Sequence, residues 1–432
     1  MASAATPTTL SDINDIAKDY YTNVYTRAYN PQTPLRSSLG KFAAFQYTGR
    51  KMIFAVKTLV GGGSANVGAA KPLPAAQAGT YDQGETTPVR TYTRMGLDGL
   101  AIKATNSEKG AFAAALTDTM RDRLEAHDYE VNRQLYCAGD GKLFGITTGA
   151  ASTTQTPGVG TGGAVGDYGV VNGGPGIRHV NVGDSLRFYD NAGVIIDATP
   201  RTVLTVDYAA GTFTINSTIT SVSAGWACRA NGDATTPTDN SVAGEADGLL
   251  KSVSSSGTLH TIPATTPAWK AISYTNGGTL RPITDSLVMQ VAENIRLRCG
   301  ALPDLGVSPT GIVLKYTELF LPIRRVNGQD IQLKGGYKPL ISIQTRGQEI
   351  PVIDDPDCPN YRMFFLNTEY MGIADLQETG WINDDGATFD RIVGMDGIEG
   401  AIRKYWNVLT TKRCAMGLLG DLEDTPTLNR VS

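Results

Sequence analysis

Apolar positions near the N-terminus recur every three or four places. Leu10, Ile13, Ala17, Tyr20, Val24 and Ala28 fall on one face of a helix, and Pro31 and Pro34 end it. An N-terminal arm over residues 1–42 is expected, docked on its own domain or laid on a neighbouring copy. The period then changes. Residues 45–60 are rich in β-branched and aromatic side chains, and residues 89–95 alternate cleanly. A long hairpin over residues 43–104 follows, with residues 89–95 as its return strand. Between the two runs, residues 61–79 carry one charge, Lys71, and little bulk. Such a tip fills no core of its own and orders against a partner.

The strongest helical signal comes next. Leu116, Met120, Leu124, His127, Val131 and Leu135 form one stripe within residues 107–138, with Ser107 as N-cap and Gly139 as stop. A helix of that length runs about 45 Å and needs a partner along it. Residues 146–176 are rich in Gly, Thr and Ala, with Asp167 as their only charge, and read as a linker. Short strands at 183–189, 202–206 and 212–215 follow, with turns between them. Their spacing suggests a small barrel or sandwich over 177–231, an autonomous β module inside an insertion spanning 146–243.

From residue 244 onward the pattern is mixed. Thr284 caps a helix with Leu287, Val288, Val291 and Ile295 on one face and Gly300 as its stop. Residues 311–314 read as a buried strand and 316–321 as a short helix. Ile341 and Ile343 alternate with polar neighbours, residues 350–353 form a second strand, and 362–367 return as a third. The intervening turn holds Asp354, Asp355, Asp357 and two prolines. Turns surround Phe389, Ile392 and Val393, and residues 398–419 are apolar apart from a few charges that include the adjacent cations Lys412 and Arg413.

Length sharpens this picture: 432 residues exceed one ordinary domain. A hydrophobic content of 41% suffices for packed cores, and 49 Gly with 21 Pro, lacking a three-residue period, indicate loops rather than collagen. The net charge of -4 supplies no basic footprint for sequence-specific DNA binding. Five dispersed cysteines, with no closely spaced pair, favour reduced thiols over zinc. The opening residues lack the basic and apolar regions of a signal peptide, and no apolar run is long enough to span a bilayer, so synthesis in the cytoplasm is expected.

Candidate chemistry is sparse. His127, His179 and His260 have no nucleophile or carboxylate at triad or metal spacing, and His127 on the apolar stripe reads as a satisfied core histidine. The glycines of 61–68 mimic a phosphate loop but lack its Gly-Lys-Ser/Thr ending. Asp354, Asp355 and Asp357 are the weak candidates for a metal, although the turn explains them equally and the calcium-loop spacing is absent. Arg324 and Arg325, adjacent cations after a proline, read as a solvated loop rather than a DNA contact. No cofactor and no catalytic residue is indicated.

Two segments carry a family resemblance: Gly336-Tyr-Lys-Pro-Leu-Ile through Asn367, and Tyr405-Trp-Asn-Val-Leu through Leu419. With the order of parts, they resemble the major capsid proteins of tailed double-stranded DNA bacteriophages, the Hong Kong ninety-seven-type fold. The resemblance implies an α+β fold: N-terminal arm, extended loop (43–104), peripheral domain with spine helix (105–145), β-rich insertion (146–243), axial domain (244–354), a return through the peripheral domain (355–410) and a final axial segment (411–432). It implies self-assembly into hexamers and pentamers around double-stranded DNA, without sequence-specific contact and without a membrane. A portal protein is a further implied partner, with decoration proteins as candidates; no long, charged, helical segment precedes the arm, so the resemblance implies a separate scaffolding protein or none. Leu10, Ile13, Tyr20, Lys57, Val60, Gly62, Lys71, Tyr81, Arg324 and Arg325 are the candidate contacts between subunits. Some members crosslink a loop lysine to an asparagine; Lys57 and Lys71 are available, but no asparagine or catalytic glutamate is indicated. A cellular nanocompartment shell of the same fold, a β-rich fibre or adhesin, and a hydrolase are the competing readings. The missing nucleophile–base pair counts against the last.

Overall fold

The computed structural model describes residues 33–40, 50–69, 71–98, 109–139, 141–149, 152–158, 175–190, 194–197, 199–219, 222–229, 245–320, 341–345, 348–384, 386, 388–392, 394 and 396–424. The predicted helix of the N-terminal arm, with Leu10, Ile13 and Tyr20, lies outside these residues, as do Arg324 and Arg325.

After the short helix α1 (Pro34–Ser38), strands β1 (Met52–Leu59) and β2 (Thr80–Thr86) pair antiparallel as a hairpin, Met52 facing Thr86 and Lys57 facing Tyr81. The expected return strand is corrected here: residues 89–95 belong to β3 (Val89–Asp98), which pairs along its length with a C-terminal strand. The true return strand, Thr-Tyr-Asp-Gln-Gly-Glu-Thr, is polar and carries a glycine. Gly84 is required there, because a Cβ would lie 2.4 Å from the Phe54 ring that crosses it. Pro88 then separates the two strands, having no N–H to extend the ladder.

The long helix α2 (Lys109–Tyr136) has 28 residues, about 42 Å. Among the described side chains of its stripe, burial deepens toward the C-terminal end. His127, Val131 and Leu135 are inaccessible, Met120 is half-buried, and Leu124 is 38% exposed. Strands β4 (Phe144–Gly149), β5 (Thr154–Gln155), β6 (Pro157–Gly158), β7 (Ser185–Asp190), β8 (Arg201–Asp207), β9 (Thr212–Ile215) and β10 (Val222–Arg229) form one sheet ordered β5-β9-β8-β7-β10-β4-β6. The expected linker therefore contributes three strands before residue 159. Small Gly and Thr residues suit a sheet as well as a loop, and buried Ile146 commits this run to the core. The sheet keeps a small core of its own, Tyr189, Trp226 and Cys228 with Ile195, and shares its larger apolar set with the long helix. Phe144, Phe188, Val203 and Phe213 join one cluster with Val131 and Leu135 of α2.

Beyond α3 (Leu249–Ser252), β11 (Thr258–Leu259) and β12 (Ile262–Pro263) make a small hairpin. Strands β13 (Ile272–Tyr274), β14 (Leu305–Ser308), β15 (Ile341–Thr345), β16 (Gln348–Asp354), β17 (Met363–Leu366) and β21 (Gly417–Leu419) form a mixed sheet ordered β13-β21-β17-β14-β16-β15. The helix from Thr284 forms as its signals require: α4 (Asp285–Cys299) has the Thr284 side chain accepting the Leu287 N–H and Gly300 closing it at φ 77°. The strand expected at 311–314 is instead the first half of α5 (Thr310–Phe320). Strand β14 comes earlier, and the Pro309 carbonyl accepts the N–H groups of Ile312 and Val313. Burial of Ile312, Val313 and Tyr316 against α4 overrides their β propensity.

Period-two alternation divides the mixed sheet between two cores. Met363 and Phe365 face α4 and α5, whereas Phe364 and Leu366 face the cluster containing α2. The last sheet centres on β20 (Gly397–Thr410), which pairs with β3, β18 (Met371–Trp381) and β19 (Asp390–Arg391). Arg413, wholly buried, is satisfied by the carbonyls of Lys251, Ser252, Ser256 and Gly257.

Candidate subunit interface

The hairpin β1–β2 is built to project from a fixed root. Met52 and Phe54 insert into a small core with Leu259, Ile262, Trp269, Ala374 and Leu409, and Val56 is partly covered. Three polar ties hold the same place. The Glu85 N–H donates to the His260 carbonyl at 2.9 Å, Thr261 Oγ1 donates to the Gln83 carbonyl at 3.0 Å, and Lys51 pairs with Glu85. The His260 ring lies edge-on to Phe54, and its Nε2 accepts the Thr410 N–H at 3.1 Å. Both His260 and Thr261 have positive φ, 50° and 69°, a conformation held here by the surrounding bonds.

Past Val56 the burial fades. Val60 is 77% exposed, Leu73 85% and Tyr81 65%, and Leu59 is also open, while at the root Ile53 is open on the face away from the core. The two tip strands approach too closely for side chains: a Cβ on Gly61 would sit 2.4 Å from the Gln77 carbonyl. The Gln77 N–H donates to the Gly62 carbonyl at 3.3 Å, and the Lys71 N–H to that of Gly68 at 3.3 Å. Across the ladder the Lys57 ammonium lies 5.7 Å from the Tyr81 ring centre. Five sequence candidates, Lys57, Val60, Gly62, Lys71 and Tyr81, therefore share one projecting element. Ile53, Leu59 and Leu73 belong with them and were missed. Their signal was present: Met52-Ile-Phe-Ala-Val is an unbroken apolar run, so β1 is apolar on both faces.

The aspartates of the turn do something else. Asp355 and Asp357 are wholly buried between α1, α2 and the end of β16. Asp355 accepts the N–H groups of Leu35 at 3.2 Å and Asp357 at 2.9 Å; Asn132 Nδ2 reaches Asp355 at 3.3 Å and Asp357 at 2.7 Å. Arg178 pairs with Asp357 at 3.0 Å. Burial, then the Asp355 carboxylate, push Asp357 up to about 7 against the pull of Arg178. These oxygens are committed to protein donors, and among the described residues no group of three acidic, His or Cys side chains gathers for a metal.

The histidines are likewise structural. His127 Nδ1 lies 3.0 Å from Thr93 Oγ1, and burial pushes the ring down to about 4. His179 ends a 3-10 turn, and burial lowers it as well.

The architecture matches that of known shells. The capsid asymmetric unit of cyanophage A-1(L) superposes with a TM-score of 0.56 at 13% identity, covering 96% of this chain and 99% of that one. A structure from Mycobacterium phage Bobi gives 0.46 at 8% identity, covering 96% and 99%. The holo-SrpI encapsulin complex from Synechococcus elongatus gives 0.42 at 10% identity, covering 97% of each chain. The last two are too loose to argue from. The first shows the fold: this chain has the α+β fold of a phage capsid protein. No family model matches the sequence. No curated protein matches it either.

Proposed function

We propose that this chain is the shell-building subunit of a bacteriophage capsid, a structural protein without catalytic function. It self-associates into hexamers and pentamers that enclose double-stranded DNA. The observation that carries this reading is the hairpin: rooted in a core through Met52 and Phe54, with Leu59, Val60, Leu73 and Tyr81 exposed beyond it, and ending in a tip of small residues open to solvent. A two-stranded ribbon is marginal in water and requires a surface. On a capsid fold that surface is a neighbouring subunit, and ring closure by rotation makes each contact heterologous. The net charge of -4 suits a container that does not adhere to its DNA.

In these terms β1, β2 and the tip form the extended loop, α2 the spine of a peripheral domain, the seven-stranded sheet an insertion, and the mixed sheet with α4 and α5 the axial domain. A portal protein, a scaffold and decoration proteins are the expected partners. The particle is the final location, with assembly in the host cytoplasm. Electron microscopy of purified protein, with and without co-expressed neighbouring phage genes, tests this. Closed shells are expected, and a permanent monomer under every condition would overturn it. Removal of residues 62–79 should leave the subunit folded and abolish shells. Normal shells from that variant would refute the hairpin's role.

A further inference from the structure

The mixed sheet ends on a strand with one side open. Strand β13 stands at the end of the order β13-β21-β17-β14-β16-β15 and pairs in parallel with β21. Its ladder bonds run through Ile272 and Tyr274. The Ile272 N–H donates to the Met416 carbonyl at 3.2 Å, and the Tyr274 carbonyl accepts the Gly420 N–H at 2.8 Å. Successive backbone units of a strand face opposite ways, so the N–H and carbonyl of Ser273, between them, face away from β21. Among the described residues neither group finds a hydrogen-bond partner.

That edge opens onto a cleft of about 510 Å³ between β13 and α4, whose lining includes Lys270, Ser273, Asn294, Leu297 and Arg298. Asn294 Nδ2 donates to the Tyr274 hydroxyl at 2.6 Å and Arg298 Nη2 to the Pro267 carbonyl at 2.7 Å, which fixes one wall. Leu297 is 71% exposed. The lining holds two cations, Lys270 and Arg298, and no carboxylate. Neither cation pairs with a carboxylate among the described residues, whereas Arg296 on the same helix is paired with Glu293. The hairpin that carries the shell-building role uses none of these groups.

We propose that this cleft takes an extended acidic segment of a partner protein, which adds a strand to β13. A residue of that segment lying antiparallel and opposite Ser273 exchanges both backbone bonds with it. A neighbouring Asp or Glu side chain reaches Lys270 or Arg298, and an apolar side chain covers Leu297. Charge selects the occupant, because two cations without counter-charges favour a carboxylate and reject a basic segment. Size selects it too. A three-residue edge spans about 10 Å. Together with one cleft it covers far less than the roughly 1,200 Å² of a stable interface between whole chains, so a short segment fits better than the face of a second copy. The bonds are few and the ion pairs exposed, so the affinity is modest and falls with salt.

Fluorescence anisotropy with full-length, unassembled protein and a labelled, capped octapeptide of alternating valine and glutamate tests the site. Saturable binding is expected, weakened several-fold between about 0.1 M and about 1 M salt, where the screening length drops from about 10 Å to about 3 Å. The same peptide with lysine in place of glutamate should not bind. Lys270→Gln combined with Arg298→Gln should weaken binding about three- to tenfold and leave the thermal melt unchanged. Hydrogen exchange gives a readout on the wild type, which decides even if the variant misfolds: amides within residues 271–274 should slow when the peptide is added. No saturation, equal binding of the lysine peptide, indifference to the double substitution, or protection only elsewhere would overturn the proposal. If those amides are open in the free subunit but already protected in assembled shells without peptide, a second copy covers the edge and the proposal fails.

Discussion

Acid loosens the root of the hairpin through His260. The ring is buried against Phe54, and its Nε2 accepts the Thr410 N–H, so that nitrogen carries no proton in the fold. Burial pushes the group down to about 4, while the Asp247 carboxylate, 3.7 Å from Nδ1, pulls it up and Lys251 and Arg413 push it down. An unfolded histidine titrates near 6.5. Between those values the unfolded chain binds more protons, so stability falls as the pH falls. Linkage from 6.5 to about 4 gives a loss of about 2 kcal/mol between pH 7 and pH 5, and about 3 kcal/mol below both. His127, also at about 4, loses stability in the same direction. Asp357 opposes them: raised to about 7, it contributes fully below about 4 and loses its contribution as the pH rises through 7. A variant isolates the His260 share. His260→Gln keeps an acceptor for the Thr410 N–H but does not titrate. Urea unfolding of unassembled subunits at pH 7 and pH 5 should show the wild type losing about 2 kcal/mol more than the variant. Equal losses would refute the reasoning.

Three further outcomes follow from the packing. Gly84→Val drives a side chain into the Phe54 ring and should cost about 1–3 kcal/mol in a thermal melt; an unchanged melt would mean that the ring does not cross that strand. Arg178→Met strips the cation from a buried acid and should cost about 1 kcal/mol more at pH 8 than at pH 5, where Asp357 is protonated, so a loss independent of pH would count against the pairing. Val131→Asp should prevent folding through an unpaired buried carboxylate, whereas Leu124→Asp should cost the free subunit within about 1 kcal/mol; matched soluble yields would show that burial along α2 is uniform.

Much of the fold was legible where local chemistry and periodicity agree. The α4 helix was legible from Thr284, its apolar face and Gly300, and the alternation of Ile341 and Ile343 marked β15. Elements escaped where tertiary packing overrode the local signal. Residues 311–314 look like a strand until Pro309 and the α4 contact are known. The true return strand β2 is polar because only its base meets a core. The α2 stripe was visible, but periodicity cannot say how far along its length a partner reaches. The Asp355–Asp357 node was legible as a turn, and its burial was not, because Leu35, Asn132 and Arg178 come from distant segments.

The hairpin's first strand and tip were legible for a different reason, since the tip follows no rule for a buried element. Ordering its tip against a neighbour costs about 1–2 kcal/mol per residue in backbone entropy. Burial of side chains such as Ile53, Leu59, Val60, Leu73 and Tyr81 returns about 1.5–3 kcal/mol each at best, less than a tip of that length requires. Side-chain contact alone would leave the balance unfavourable, so the neighbour must also satisfy tip backbone groups, and the close Gly61–Gln77 approach must pre-order part of the ribbon. Replacing Val60 and Leu73 together by serine should then reduce shell yield several-fold without abolishing shells, while removal of residues 62–79 leaves none. Electron microscopy of the two variants side by side decides the matter. If the double substitution is as damaging as the deletion, the contact lies in those side chains and the backbone share of this argument fails.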